Sequence, residues 1–241
     1  MDKRFWGFLA VIALVLGGIF FFTNSNQASA PTGQAGTLTN HVKGQGASGV
    51  TLTEYGDFQC PACGQYYPLV KQLYQKYQGD IKLQFRNFPL FQIHPNAIAA
   101  SRAAEAADLQ GKFWEMHDML YENQQSWSPS QNPQSSFEQY ARELGLNVEK
   151  FKTDYKSNQV NDRVQADLRE GQRLDVSSTP TFFIDGKKIS NPTSLEDFSK
   201  VIENAIKQKT GKKPSPAASE SATEATTEVT TPPTPAPAEG Q

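Results

Sequence analysis

Cys60 and Cys63 are the two cysteines of the 241-residue chain, with Pro61 and Ala62 between them. A lone pair in C-x-x-C spacing can open and close a disulfide on itself, with no third thiol to mispair. Three chemistries fit: a structural disulfide, a structural zinc site, or a catalytic dithiol with a nucleophilic first sulfur and a resolving second. So small a loop gains little from a cross-link, about 2 kcal/mol on the chain-entropy estimate. Structural zinc usually takes four Cys/His ligands, and His41, His94 and His117 show no zinc-finger spacing from the cysteines. Spacing favours the dithiol without excluding the other two.

Such a pair needs a strand to end just before it and a helix to begin at it. Val50, Leu52 and Glu54 alternate with Thr51, Thr53 and Tyr55, which predicts a strand with Val50 and Leu52 buried and Glu54 on the same face. A helix is expected from the motif to Tyr77, with Pro61 suited to its first turn and Gly79-Asp80 stopping it. Ile81, Leu83 and Phe85 alternate as a second strand. Strand, helix, strand is the setting in which C-x-x-C reads as thioredoxin-like. Helical patterns follow: Pro95 to about Leu109, Phe113 to Leu120, Phe137 to Leu144, a short one capped by Asn147, and one carrying Val160, Val164 and Leu168, with Ser126–Pro133 turn-rich. Thr181–Asp185 reads as a strand turning at Asp185-Gly186 into Lys187–Ile189, and Ser194 with Asp197 forms a capping box for the last helix. The expected class is α/β, a thioredoxin-like fold with an all-helical insertion, at about 95–175, between the second strand and Thr179-Pro180.

The expected organisation has four parts: an N-terminal membrane anchor or signal segment at 1–23, a flexible linker at 24–48, the thioredoxin-like domain at 49–209, and a disordered tail rich in Pro, Ala, Thr and Glu at 210–241. His41 falls in the linker and is expected in solvent. Phe5–Phe22 lacks charged or strongly polar side chains and follows Lys3 and Arg4. Ala28-Ser29-Ala30 offers a cleavage pattern. The apolar run nevertheless exceeds the roughly 7–15 residues of a signal core and is about the roughly 18 that span a bilayer. Pro31 would also hinder the peptidase, so an anchor is favoured over a cleaved signal. Either way the positive-inside rule exports everything after Asn24, into a compartment where disulfides persist. The net charge of −2 offers nothing to nucleic acid.

Five separated segments carry a resemblance: Glu54-Tyr55-Gly56-Asp57-Phe58-Gln59-Cys60-Pro61-Ala62-Cys63, Phe85-Arg86-Asn87-Phe88-Pro89-Leu90, His94-Pro95-Asn96-Ala97, Gly111-Lys112-Phe113-Trp114-Glu115-Met116-His117-Asp118, and Ser178-Thr179-Pro180-Thr181-Phe182-Phe183-Ile184-Asp185-Gly186. Over roughly residues 48–208 the chain resembles the DsbA-like thiol-disulfide oxidoreductases. It departs from them at Pro61-Ala62, where the best-known oxidases carry Pro-His, and at Ser178, where many relatives have Gly. The resemblance implies that Cys60 is the nucleophile and Cys63 the resolving thiol. It also implies that Glu54 lies beneath the pair as a proton relay, and that Thr179-Pro180 is a cis-proline loop that pairs with an extended substrate peptide. Pro61 and Ala62 set the turn and so influence the redox poise. No cofactor or metal is expected. His94 and His117 read as structural or surface residues.

The expected function is an extracytoplasmic dithiol oxidase, anchored at the membrane and monomeric, acting on exported proteins with cysteine pairs. The family implies reoxidation by a quinone-linked membrane partner. A reductase or isomerase of the same fold is the alternative. In a different class stands a non-catalytic binding or chaperone module with a structural disulfide.

Overall fold

The structure is a computed structural model, and it describes residues 37–214. A five-stranded mixed sheet has the order β1-β3-β2-β4-β5, made of β1 (His41–Lys43), β2 (Val50–Gly56), β3 (Ile81–Asn87), β4 (Thr181–Ile184) and β5 (Lys187–Lys188). β2 and β3 run parallel, with Leu52 opposite Leu83 and Glu54 opposite Phe85; the other neighbours are antiparallel. The parallel pair needs a crossover, and α1 (Pro61–Tyr77) supplies it.

One sheet face is covered by α1 and by α8 (Leu195–Thr210). Val50, Leu52, Leu73, Ile81, Phe182, Phe198 and Ile202 meet there with no solvent exposure. Each large aliphatic or aromatic side chain so buried contributes about 1.5–3 kcal/mol. Ser194 caps α8 by accepting the Asp197 N–H at 3.1 Å, as the capping box predicts. Between β3 and β4 lies the helical block: α2 (Ala97–Asp108), α3 (Phe113–Glu122), α4 (Gln124–Trp127), α5 (Gln134–Glu143), α6 (Val148–Lys156) and α7 (Asn158–Arg173). Its core joins the alanines of α2 to Phe113, Met116, Trp127, Phe137 and Phe151. The stretch read as turn-rich from Ser126 begins inside α4, held because Trp127 buries its ring and donates its indole N–H to the Leu120 carbonyl at 2.7 Å.

The linker expectation for 24–48 fails at its C-terminal end. Residues 41–43 form β1 on the sheet edge, and His41 is buried at 4 % exposure rather than solvated. Three residues are too few for alternation to register, and their polarity hides burial that depends on distant partners. His41 stacks on Phe113 and meets the carboxylates of Glu105 and Asp108 at 2.7 and 3.4 Å. The predicted anchor or signal segment, the rest of the linker up to residue 36, and the tail beyond residue 214 lie outside the described residues. Among the described residues no helix is long and apolar enough to cross a membrane.

Candidate active site: the Cys60–Cys63 dithiol

β2 delivers the motif. After Gly56 the chain turns through Asp57, whose carboxylate accepts the N–H groups of Gln59 at 2.8 Å and Leu90 at 2.9 Å and faces His94 Nδ1 at 2.7 Å. One buried side chain thus ties the cysteine loop to the loop after β3. The helical block clamps the same turn from the other side. Gln124 donates to the carbonyls of Phe58 and Cys60 at 2.7 and 2.9 Å. Gly64 makes room for that clamp, since a Cβ there would lie 2.5 Å from Gln124 Oε1.

Cys60 is the N-cap of α1 with extended backbone, and Pro61 opens the first turn, where a missing N–H costs nothing. Both cysteines are free thiols. Cys60 is 7 % exposed and Cys63, one turn inward, is sealed at 0 %. Their acidities separate accordingly. Hydrogen bonding from the Cys63 thiol is the largest influence on Cys60; it outweighs burial and, with help from Thr179, lowers the Cys60 pKa to about 5. The N–H groups of Ala62 and Cys63 at the helix start act in the same direction without closing a capping bond to the thiol. Burial pushes Cys63 well above the usual thiol range, and the proximity of Cys60 and Glu54 adds to it.

Thr179-Pro180 is cis and faces the pair. The Cys60 thiol donates to the Thr179 carbonyl at 3.4 Å. The Thr179 hydroxyl is buried without a hydrogen-bond partner among the described residues, free to donate to a thiolate. Glu54 lies on the sheet face beneath Cys63 at 4 % exposure, and burial raises its pKa to about 8 despite the Lys43 ammonium on β1. Cys60, Cys63, Glu54, Thr179 and Pro180 therefore come together as one site, with Pro61 and Ala62 forming its turn.

Sequence reasoning left out Asp57, Gln124 and Lys43. Asp57 follows Gly56 as an ordinary turn residue would, and Gln124 lies 61 positions past Cys63, so neither carried a local signal. His117 is buried at 6 % exposure among Phe58, Phe85, Trp114 and Tyr121. Away from the cysteines, His41, Glu105 and Asp108 come close enough together to suit a metal ion. The cations there are supplied by the chain, however: burial opposes the charge on His41, yet bonds to Asp108 and Glu105 raise its pKa to about 9, and Arg163 reaches both carboxylates.

A buried, depressed first thiol at a helix start, a second with its acidity suppressed, and a facing cis-proline suit exchange through a mixed disulfide. Solved structures share the architecture. The oxidised crystal structure of BdbD from Bacillus subtilis superposes with a TM-score of 0.63 at 22 % identity, over 72 % of this chain and 97 % of that one. Wolbachia pipientis alpha-DsbA1 superposes with a TM-score of 0.62 at 19 % identity, over 70 % and 92 %. Among curated sequences, the chain is 36 % identical over 167 residues to a protein named Na(+)/H(+) antiporter NhaA 3 of Salinispora tropica, covering 69 % of this chain and 25 % of that protein. An NhaA 1 of Mycolicibacterium gilvum is 33 % identical over 214 residues, covering 84 % and 34 %. The chain thus spans a quarter to a third of the length of these curated relatives. A family model described as thioredoxin matches residues 36–204. By that match the chain belongs to the thioredoxin family, with the DsbA-like fold in which a helical block separates β3 from the cis-proline loop.

Proposed function

We propose that the chain is a thiol-disulfide oxidoreductase of the DsbA kind, and that it works as a dithiol oxidase on exported proteins. The observation that carries this reading is the split acidity of the pair: Cys60 drawn down to about 5 and Cys63 pushed up beside it. In the oxidising direction a substrate thiolate attacks Cys60 of the disulfide, and Cys63 leaves as the inner sulfur and takes a proton from Glu54. A second substrate thiol then displaces Cys60, which leaves as a stable thiolate. Stabilising that thiolate stabilises the reduced protein and makes its disulfide a stronger oxidant, with about 30 mV for each 1.4 kcal/mol. The cis-proline loop beside Cys60 suits pairing with an extended peptide.

The apolar N-terminal stretch supports an extracytoplasmic domain held at the membrane; the reading takes it as a monomer, and the oxidase role calls for a membrane partner, quinone-linked in kind, to renew the disulfide. Reductase or isomerase work by the same residues is the competing direction. Equilibration of the pair with glutathione separates them. A reduction potential near about −120 mV, as in DsbA, is expected. A value near the roughly −270 mV of thioredoxin overturns the oxidase reading in favour of a reductase. A pair that stays oxidised at every poise and exchanges with nothing returns the chain to the binding or chaperone class.

A further inference from the structure

The end of the molecule away from the cysteines gathers positive charge. α8 stops at Gly211, which takes the left-handed conformation with a φ of 71°, and exposed Lys212 and Lys213 follow exposed Lys207 and Lys209 there. Lys209 fixes that helix end against the sheet. Its ammonium donates to the Gly49 carbonyl just before β2 and pairs with Asp185, in the β4–β5 turn, at 2.9 Å. Lys187 opens β5 after that turn. Lys82, second in β3, runs its stem past Gly46, where a Cβ would lie 2.6 Å from Lys82 Cγ. All six lysines are exposed, with Asp80 and Asp185 beside them. Lysines elsewhere are matched: Lys71, Lys112, Lys150, Lys152 and Lys200 each pair with a nearby carboxylate. Of the six at this pole, Lys209 alone is ion-paired among the described residues.

We propose that this lysine pole rests on the anionic headgroups of a phospholipid bilayer and so holds the dithiol facing away from the membrane. The inference rests on the reading of the apolar N-terminal stretch as a membrane anchor. Helix-end electrostatics accounts for Lys207 and Lys209, in the last turn of α8. It does not account for Lys82, Lys187, Lys212 and Lys213, which lie outside the helices. A built phosphate pocket favours the planar fork of arginine, whereas lysine is a hydrated point charge on a flexible stem. Such charges suit a fluid sheet of headgroups, each adding attraction within a Debye length of about 8–10 Å. The tail beyond Lys213 is the rival occupant, with Glu220, Glu224, Glu228 and Glu239 and no cation. A bilayer presents its charge as a plane that the whole pole can meet at once, which four glutamates spread along a chain do not. The geometry sets the consequence. β2 rises from this pole toward the cysteine turn over Val50–Gly56, so at about 3.3 Å per residue Cys60 stands about 20 Å or more from the lysines. β1 enters the sheet from the cysteine end, since His41 lies opposite Phe85 and Lys43 opposite Leu83. Residues 24–36 can span at most about 45 Å, enough to pass the height of the sheet. The anchor therefore permits either end to face the bilayer, and the lysines select the pole. The exchange site is then open to exported chains.

The test reconstitutes the full-length protein into vesicles of phosphatidylcholine alone, and into vesicles in which about a third of the lipid is anionic phosphatidylglycerol. A membrane-impermeant amine reagent is then read out lysine by lysine by mass, with Lys150 and Lys152 on α6 as the internal standard. At low salt, labelling of Lys82, Lys187, Lys207, Lys212 and Lys213 should fall by roughly fivefold in the anionic vesicles. Salt at about 1 M, where the Debye length shrinks to about 3 Å, should restore it. Lys207→Gln, Lys212→Gln and Lys213→Gln combined should return Lys82 and Lys187 to their labelling in phosphatidylcholine, with glutathione exchange at Cys60 unchanged. Equal labelling in the two kinds of vesicle overturns the inference. So does protection that is the same in both vesicles and in detergent, the mark of the tail as occupant. If the protein floats with neither vesicle, the anchor reading fails and takes this inference with it; if it floats with both and labels alike, only this inference fails.

Discussion

Of the places where the chain buries charge, β1 reaches two. His41 enters a cluster in which the charges are matched. Glu105, at 0 % exposure, accepts from Asn87 and faces His41 and Arg163, while Asp167, also at 0 %, accepts from the Thr39 hydroxyl at 2.6 Å and the Asn87 N–H at 3.0 Å and pairs with Arg86 at 3.1 Å. Two residues along, Lys43 looks toward Glu54, but its ammonium lies over the Trp114 and Tyr74 rings at 4.0 and 4.7 Å, and burial lowers its pKa. Glu54 therefore keeps a raised pKa near a Tyr121 hydroxyl that has no hydrogen-bond partner among the described residues. The first cluster saturates its carboxylates and locks the edge strand to the helical block. The second leaves its carboxylate short of partners and so able to titrate. Saturation stabilises a fold; incomplete pairing keeps a group reactive.

The comparison can be broken in four ways, beginning with the largest effect. Cys60→Ser should abolish oxidation of a dithiol peptide while the circular dichroism spectrum stays that of the wild type; residual turnover would place the chemistry elsewhere. Glu105→Gln strips the matched cluster of a charge that His41 and Arg163 face. It should cost about 3–5 kcal/mol in urea unfolding, as breaking a buried pair does, with the Cys60 titration unmoved.

The pH dependence of the matched cluster has a definite sign. His41 has a folded pKa of about 9, above its unfolded value of 6.5, so its contribution is complete below about pH 6.5 and is lost as pH rises through about 9. At about 1.4 kcal/mol per unit the loss amounts to about 3 kcal/mol. It should be visible as the wild type weakening relative to His41→Gln between pH 6 and pH 10; parallel curves would count against a charged His41. Glu54 should behave in the opposite sense to Glu105. Its raised pKa makes the carboxyl a cost that is absent below about pH 4.5 and grows until about pH 8. Glu54→Gln should thus stabilise the protein by about 2 kcal/mol at pH 7, after allowing for the amide's own burial, while slowing closure by Cys63.

The sequence disclosed the parts of this fold whose signals are local. Val50, Leu52 and Ile81, Leu83, Phe85 alternate, Ser194 caps α8 as its spacing with Asp197 implies, and the cysteine spacing marks a helix start. Glu54 could be placed on its face by counting residues. What stayed hidden depends on partners far along the chain. β1 is a strand because β3 pairs with it and because Glu105 and Asp108 await His41, and no pattern within three residues carries that information. Gln124 and Asp57 shape the cysteine turn through hydrogen bonds to backbone, which leave no trace in residue spacing.

The most direct test of the dithiol reading is the thiolate titration of Cys60 in the reduced protein, followed by absorbance at 240 nm with Cys60→Ser as the blank. An apparent pKa near 5 is expected, with Cys63 silent across the neutral range. A single transition near the ordinary thiol value of about 8.5 would contradict it, leaving Cys60 an unactivated thiol and the pair without its oxidising bias.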